Sequence, residues 1–248
     1  MSTDAAIMLR RNFKHTLRNP VTLFNAVLMP IIMMLLFVYV FGDAFNVGGG
    51  DYINYATPGM LMLAIVYGLS ATAVAVSTDM TKGIINRFKV MDVSRSAVLS
   101  GHVVSTMVRT TLALVAVIGV AFLLGFNPSG SLLDWLAAGG VLLLVVFAVS
   151  WLTVAFGLAA KTPESAGFST VPLIMLPFFS SAIVPADKMG AGIRDFAHYQ
   201  PFTSMIESIR GFLIGAPNTG QTLAAIGWSL AIALVGYIWA QSKFNTQA

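Results

Sequence analysis

The chain has 248 residues, 57% of them apolar and only 10% charged, with a net charge of +4 and a mean hydropathy of +0.82. About a quarter of an ordinary soluble domain is charged, because a surface facing water needs charge; this composition excludes a soluble globular fold and requires lipid as solvent. Cysteine is absent, which excludes a disulfide framework, a thiolate nucleophile and any Cys-based metal site.

Over 1–20, Ala6, Leu9, Phe13 and Leu17 recur at helical spacing while Arg10, Arg11, Lys14 and Arg18 occupy the other faces. The pattern predicts an amphipathic helix in the membrane interface, apolar side down and cations toward lipid phosphates. Roughly 20 apolar residues carry a helix across a ~30 Å hydrocarbon core. Six stretches fit: 21–41, 57–77, 103–125, 136–159, 167–184 and 223–240. The first is longer than a signal-peptide core and lacks a small-residue cleavage site, so it reads as a span. The fifth is short and contains Pro172 and Pro177, which remove backbone donors and kink it. The fold class expected is an all-α integral membrane protein, with residues 21–248 forming one six-span domain.

Lys and Arg set the orientation. With six spans, Arg10, Arg11, Lys14, Arg18, Lys82, Arg87, Lys89, Arg95, Lys161 and Lys243 fall on one side, whereas the loops 42–56 and 126–135 hold Asp43, Asp51 and Asp134 with no cation. The positive-inside rule then puts both termini in the cytoplasm. The long outer loop with Lys188, Arg194 and Arg210 weighs little, because long loops translocate largely regardless of charge. Basic residues placed beside spans also remove the case for nucleic acid as a partner.

Two segments stand out. In the loop 79–101, Ile84, Phe88 and Met91 follow i, i+4, i+7 with Ile85 beside them, while Lys82, Arg87, Lys89 and Asp92 point away. A short amphipathic helix between two spans needs lipid or a protein groove for its apolar face. In the outer segment 185–216, Met189, Ile193 and Phe196 predict one short helix and Gln200-Pro201-Phe202-Thr203 breaks it. A second helix is expected to start on a Ser204/Glu207 capping box and run through Ile209, Arg210 and Leu213 to Gly215. Two half-length helices before the last span fit a re-entrant pair, which the membrane permits where protein covers the broken backbone.

Catalytic signatures are missing. No Gly is followed by Lys, so there is no ATP-binding P-loop, and His15, His102 and His198 are isolated, which leaves no metal set. Gly68-Leu69-Ser70-Ala71 offers a serine within a span, yet no histidine lies at membrane depth to activate it. Arg109 is the only charge inside a span and is expected to snorkel to the headgroups. With no acidic relay in the membrane, energy for any transport has to come from elsewhere. The chain therefore reads as a non-enzyme that binds no cofactor of its own.

At this point the sequence resembles a known family. Tyr55-Ala56-Thr57-Pro58-Gly59, then Asp79, Gly83, Arg87-Phe88, Ser94-Arg95, Leu99 and Gly101, is similar to the cytoplasmic loop of type-2 ABC transporter permeases, in particular the daunorubicin-resistance-like exporters. Gln200-Pro201-Phe202-Thr203 with Ile209-Arg210 and Gly215 resembles that family's Pro-containing outer motif. The proline that many relatives carry before the Ser-Arg pair is missing.

The resemblance implies a permease dimer, of two copies or of this chain and a paralogue, above two ABC ATPase subunits that hold ATP and Mg. It makes 84–91 the coupling helix, with Lys82, Ile84, Ile85, Arg87, Phe88 and Met91 seated on the ATPase, and Glu164 in the next loop beside the same partner. It also places spans one, two and five near the dimer axis, where Met33, Phe37, Tyr39, Met62, Tyr67, Met175, Phe178 and Phe179 offer the soft, adaptable surface that variable apolar ligands need. The expected function is ATP-driven export of hydrophobic or amphiphilic compounds, drugs or lipids, across a bacterial cytoplasmic membrane. Two other readings stand beside it: export of lipid-linked polysaccharide, and a membrane assembly factor without transport activity.

Overall fold

The computed structural model describes residues 20–40, 42, 51–81 and 95–246. The expected interface helix lies outside them except for Pro20, as do Lys82, Ile84, Ile85, Arg87, Phe88 and Met91 of the expected coupling helix. Among the described residues every regular element is helical. Helix α1 (Pro20–Leu35) passes into a π-helical turn, Leu36–Val40. Helices α2 (Tyr52–Tyr67) and α3 (Leu69–Thr81) form one arm interrupted at Gly68. Then follow α4 (Arg95–Leu123), α5 (Leu132–Ala159), α6 (Pro163–Ser169), α7 (Val171–Met175), α8 (Ile193–Tyr199), α9 (Pro201–Leu213) and α10 (Thr219–Thr246).

Four helical stretches are long and apolar enough to cross a membrane: Tyr52–Thr81, Leu99–Leu123, Leu132–Ala159 and Thr219–Thr246. These correspond to the second, third, fourth and sixth expected spans. The first appears as a shorter apolar helix, Val27–Val40. The fifth departs from expectation: 167–184 is not one helix but the end of α6, α7, a 3-10 turn Leu176–Phe179 and a non-helical stretch. Pro172 and Pro177 supply the reason, since each lacks the N–H that would continue the ladder.

The helix starts follow local chemistry. Ser131 and Asp134 form a reciprocal capping box at α5, and Thr162 with Ser165 does the same at α6, whose first residue is Pro163. The capping box expected at Ser204 does not form. Helix α9 starts three residues earlier with Pro201 at its first position, and Glu207 pairs with Arg210 instead. Proline at a first helical position gives up only a donor that would be orphaned anyway, so it decides the start.

Helices α2–α3 and α5 form the centre and α10 the periphery: the most apolar windows of the first two are 72% buried against 28% for the last. Met60, Leu61, Met62, Leu63, Ile65 and Val66 of α2 meet Val145, Val146 and Val149 of α5 and Phe202, Met205, Ile206 and Ile209 of α9 in the main core. A second cluster lies at the Thr81 end of the bundle, where Val76, Leu99, Val103, Trp151, Leu158 and Phe244 pack together. Helix α10 reaches α5 through Gly236, where an added Cβ would lie 2.5 Å from the Leu152 nitrogen. Small residues let membrane helices approach this closely when no hydrophobic drive brings them together. On the opposite side of α10, Leu230, Leu234, Val235 and Ile238 are exposed, as a lipid-facing surface would be.

The loops sort by end. At the Tyr52 end, the Asn127 N–H donates to Asn54 Oδ1, the Gly130 N–H to the Leu213 carbonyl and the Ser129 hydroxyl to the Ile214 carbonyl. The Thr81 end gathers Asp79, His102, Leu158 and Phe244.

Candidate functional site

The Tyr52 end is built around the broken stretch that follows α7. Residues 180–185 have no ladder of their own, so their carbonyls need donors from elsewhere. Tyr52 Oη donates to the Ile183 carbonyl at 3.0 Å and Tyr55 Oη to the Ser181 carbonyl at 2.9 Å. Both tyrosines belong to the first turn of α2. One turn on, Gly59 lies so close to Ala182 that a Cβ would fall inside the Ala182 carbonyl; glycine is needed there because backbone meets backbone.

Arg210 of α9 completes the arrangement. It is 6% exposed. Its Nη2 donates to the Ser181 carbonyl at 2.7 Å and to the Tyr55 carbonyl at 3.1 Å, its Nε donates to Tyr55 at 3.2 Å, and its Nη1 pairs with Glu207. The guanidinium also lies 3.8 Å from the centre of the Tyr55 ring, a cation–π contact. A planar fork with five donors holds three separated acceptors in one fixed geometry, which the compact ammonium of a lysine does not offer. Gln200 Nε2 adds a bond to the Leu176 carbonyl at 3.2 Å. Thus α2 and α9 together satisfy the backbone of the broken fifth segment, and the motif Gln200-Pro201 with Arg210 marks the helix that does it.

Arg109 does not snorkel as expected. It lies at the middle of α4, 8% exposed, and its Nη2 donates to the Gly68 carbonyl at 2.9 Å and to Thr72 Oγ1 at 2.6 Å. Gly68 interrupts the α2–α3 arm, so its carbonyl is an available acceptor at membrane depth, and a guanidinium held by protein acceptors has no need of the headgroups.

The residues expected along a ligand path scatter. Met62 is fully enclosed in the core; Met33, Phe37, Tyr67 and Phe178 are partly buried against it; Tyr39 is 71% exposed. Met175 and Phe179 come together. With Pro172, Leu176, Ile193 and Phe196 they line an open apolar groove of about 350 Å³ between α7 and α8. Glu164, expected beside the ATPase, stands exposed in the first turn of α6, and its carboxyl is held below the ordinary range by its own backbone N–H and by the Thr162 hydroxyl. In the sequence Arg210 reads as an outer-loop cation, a member of the expected second helix and part of a motif, but not as a buried clamp. Its spacing of three from Glu207 on an apolar helix was the signal that it is buried and paired.

The described residues define a multi-pass, all-helical membrane bundle with broken helices at one end. The profile of the ABC-2 type transporter family matches residues 3–214, and the chain belongs to that family. The daunorubicin-resistance ABC transporter permease of Streptomyces coeruleorubidus is 32% identical over 204 residues, covering 82% of this chain and 71% of its own. A doxorubicin-resistance ABC transporter permease of Mycobacterium tuberculosis is 26% identical over 222 residues, covering 88% and 79%. The chain is therefore a permease subunit of the kind partnered with an ATPase, and a multi-pass membrane protein of bacterial type.

Proposed function

We propose that this permease exports hydrophobic or amphiphilic compounds, drugs and lipids among them, from the cytoplasm or inner leaflet. ATP and Mg bind on two copies of the partner ATPase, and a second permease copy or a paralogue completes the path. The observation that carries this reading is the similarity to the daunorubicin-resistance permease over 82% of the chain.

Both termini face the cytoplasm, in keeping with the one-sided Lys and Arg count. The domain 21–248 crosses six times, counting α1 and the broken fifth segment as crossings, and 1–20 lies in the inner interface. The segment 185–216 is re-entrant in the outer leaflet; the bond from its Arg210 to the Ser181 carbonyl supports this, since with Tyr52 and Tyr55 it covers the broken backbone at 181–183 from which the segment starts. Lys82, Ile84, Ile85, Arg87, Phe88 and Met91 meet the ATPase groove, with Glu164 beside them. Met33, Phe37, Tyr39, Met62, Tyr67, Met175, Phe178 and Phe179 line the path in the course of the cycle; the groove at Met175 and Phe179 favours those two most. ATP binding drives the cycle by favouring one of two permease states that differ in affinity for the cargo.

The test uses inverted membrane vesicles holding the permease with its ATPase partner. ATP-dependent uptake of daunorubicin is expected, and Phe88→Asp, which puts a charge on the apolar loop face, abolishes it while membrane insertion survives. Uptake of a lipid-linked glycan and not of drug would favour the polysaccharide reading. No uptake, with ATPase activity indifferent to the permease, would identify an assembly factor.

A further inference from the structure

Gly139 of α5 is a glycine that close packing does not explain. Gly236 lets two backbones meet, whereas a Cβ added at Gly139 would find nothing within 4 Å. The space it leaves opens into a cavity of about 60 Å³ in the Tyr52 half of the bundle. Thr57 and Leu61 of α2, Leu142 of α5 and Leu213 of α9 form the inner wall, and none of them is more than 7% exposed. The Thr57 hydroxyl is spent on the Ile53 carbonyl of its own helix, so the wall presents methyl and methylene groups. A buried water needs two to four polar partners, a need that this apolar lining does not meet.

The mouth of the cavity lies on the lipid side. Ile118, Trp135 and Gly139 are the half-buried members of the lining, and next to them on α4 and α5 Val115, Phe122, Leu136 and Leu143 are 63%, 50%, 67% and 44% exposed. Toward the helix ends the cavity is roofed by aromatic rings. Phe126 and Trp135 line it, and the Phe122 ring lies 5.5 Å from the first and 6.1 Å from the second. Water at the loop 126–135 is thereby shut out, while the gap at Gly139 continues the lipid-facing surface inward. Gly139 and Leu142 lie seven and ten residues past Leu132, the first residue of α5, or about 10 and 15 Å along the axis. That is the depth of acyl-chain ends in a leaflet and not of headgroups.

Size decides between drug and lipid as occupant. A cavity of about 150 Å³ takes one benzene ring, so a fused-ring compound does not fit in this one, whereas the flexible end of an acyl chain enters a few carbons deep. The mouth has nothing to select a headgroup: 126–135 contains no Lys or Arg, and the Asp134 carboxylate is committed to the Ser131 cap.

We propose that this cavity is a binding site for the terminal carbons of one phospholipid acyl chain, admitted sideways between α4 and α5 at Gly139. The chain restores the van der Waals contacts that an empty space would forfeit. It braces α2 against α5 and α9 beside the Gly59 contact with the broken fifth segment, so the bilayer supplies part of the packing of the subunit.

The test uses vesicles that contain the complete transporter, with phosphatidylethanolamine or phosphatidylglycerol carrying a photoreactive diazirine at the end of one acyl chain. After illumination, mass spectrometry of the peptides should find adducts on Leu61 and Leu142, which bulk lipid does not reach, as well as on the exposed Leu230 and Leu234 of α10. Gly139→Leu fills the gap with a side chain of its own. Adducts on Leu61 and Leu142 should then fall by about fivefold or more, with those on α10 unchanged. Both headgroups should label alike, and excess daunorubicin should leave the adducts in place.

Adducts confined to exposed residues would overturn the site. So would adducts on Leu61 and Leu142 that persist in Gly139→Leu, that daunorubicin displaces, or that need one headgroup. Should Gly139→Leu fail to reach the membrane, the wild-type map decides alone, and its lack of adducts on Leu61 and Leu142 refutes the proposal. Transport is not the readout, so failure of the export reading would leave this outcome untouched.

Discussion

Arg210 gives the most quantitative prediction. It makes four hydrogen bonds, to Tyr55 twice, to Ser181 and to Glu207. Arg210→Gln leaves at most two donors on an uncharged group, so at least two charge-assisted bonds disappear, each worth about 1.5–3 kcal/mol. Of these, only the bond to the Ser181 carbonyl holds 180–183 itself, so its loss makes local opening of that stretch easier by about 1.5–3 kcal/mol less what glutamine recovers, roughly tenfold in population at ~1.4 kcal/mol per decade. Ser181 reports the opening. It is 1% exposed and its hydroxyl has no partner among the described residues, so Ser181→Cys places sulfur there at little cost. With purified permease, maleimide labelling of that thiol should run roughly tenfold faster when Arg210→Gln is added, with the melting temperature of the whole fold compared in parallel. Glu207→Gln, which leaves the Ser181 bond in place, should accelerate labelling by much less, about threefold or under. An unchanged labelling rate in the Arg210 variant would refute the clamp.

The orientation predicts that single cysteines at Asn46 and Ser131 react with an impermeant thiol reagent in intact cells while those at Ser2 and Thr246 do not. Gly236→Leu should lower thermal stability by about 1–3 kcal/mol through forced separation of α5 and α10, whereas Gly227→Ala, with nothing within 4 Å of the new Cβ, should not; equal melting temperatures would remove Gly236 from the packing. Met175→Ala with Phe179→Ala should change drug-stimulated ATPase activity more than Leu230→Ala with Leu234→Ala, a pair exposed on α10. The depressed carboxyl of Glu164 stabilises the start of α6 at neutral pH, and that contribution is lost as pH falls through its lowered value. Amide exchange in α6 should therefore be faster in Glu164→Gln than in wild type at pH 7, the difference persisting below the ordinary carboxylate range and vanishing only once pH falls through the lowered value.

Hydropathy revealed the long helices because lipid demands apolar length wherever a chain crosses, and no partner is needed to read it. It could not reveal the interruption at Gly68, since Tyr67-Gly68-Leu69 continues an apolar run and the interruption shows only once Arg109 takes the freed carbonyl. Pro172 and Pro177 announced a bent fifth segment but not its dissolution into short helices, because that depends on acceptors being satisfied by Tyr52, Tyr55 and Arg210 from far along the chain. The Ser204 cap was misread for a related reason: Ser204 and Glu207 have the right spacing, and Pro201 outranks them. Arg109 was read as a lone cation since its partners lie 37 and 41 residues away in sequence.

The clamp also orders events at birth. The carbonyls of Leu176 and Ser181 find their donors in Gln200 and Arg210, which leave the ribosome later than the segment they serve. Until those residues arrive, the Pro-containing fifth segment has neither a helical ladder nor its full set of partners, and it cannot settle in lipid as an independent span. Insertion of the last third of the protein is consequently a joint act, in which α9 must return to helices already in place before the segment ahead of it is secure. A nascent chain halted before residue 200 would hold that segment in protein-conducting or chaperoned surroundings and present membrane quality control with a substrate recognisable by its unsatisfied backbone.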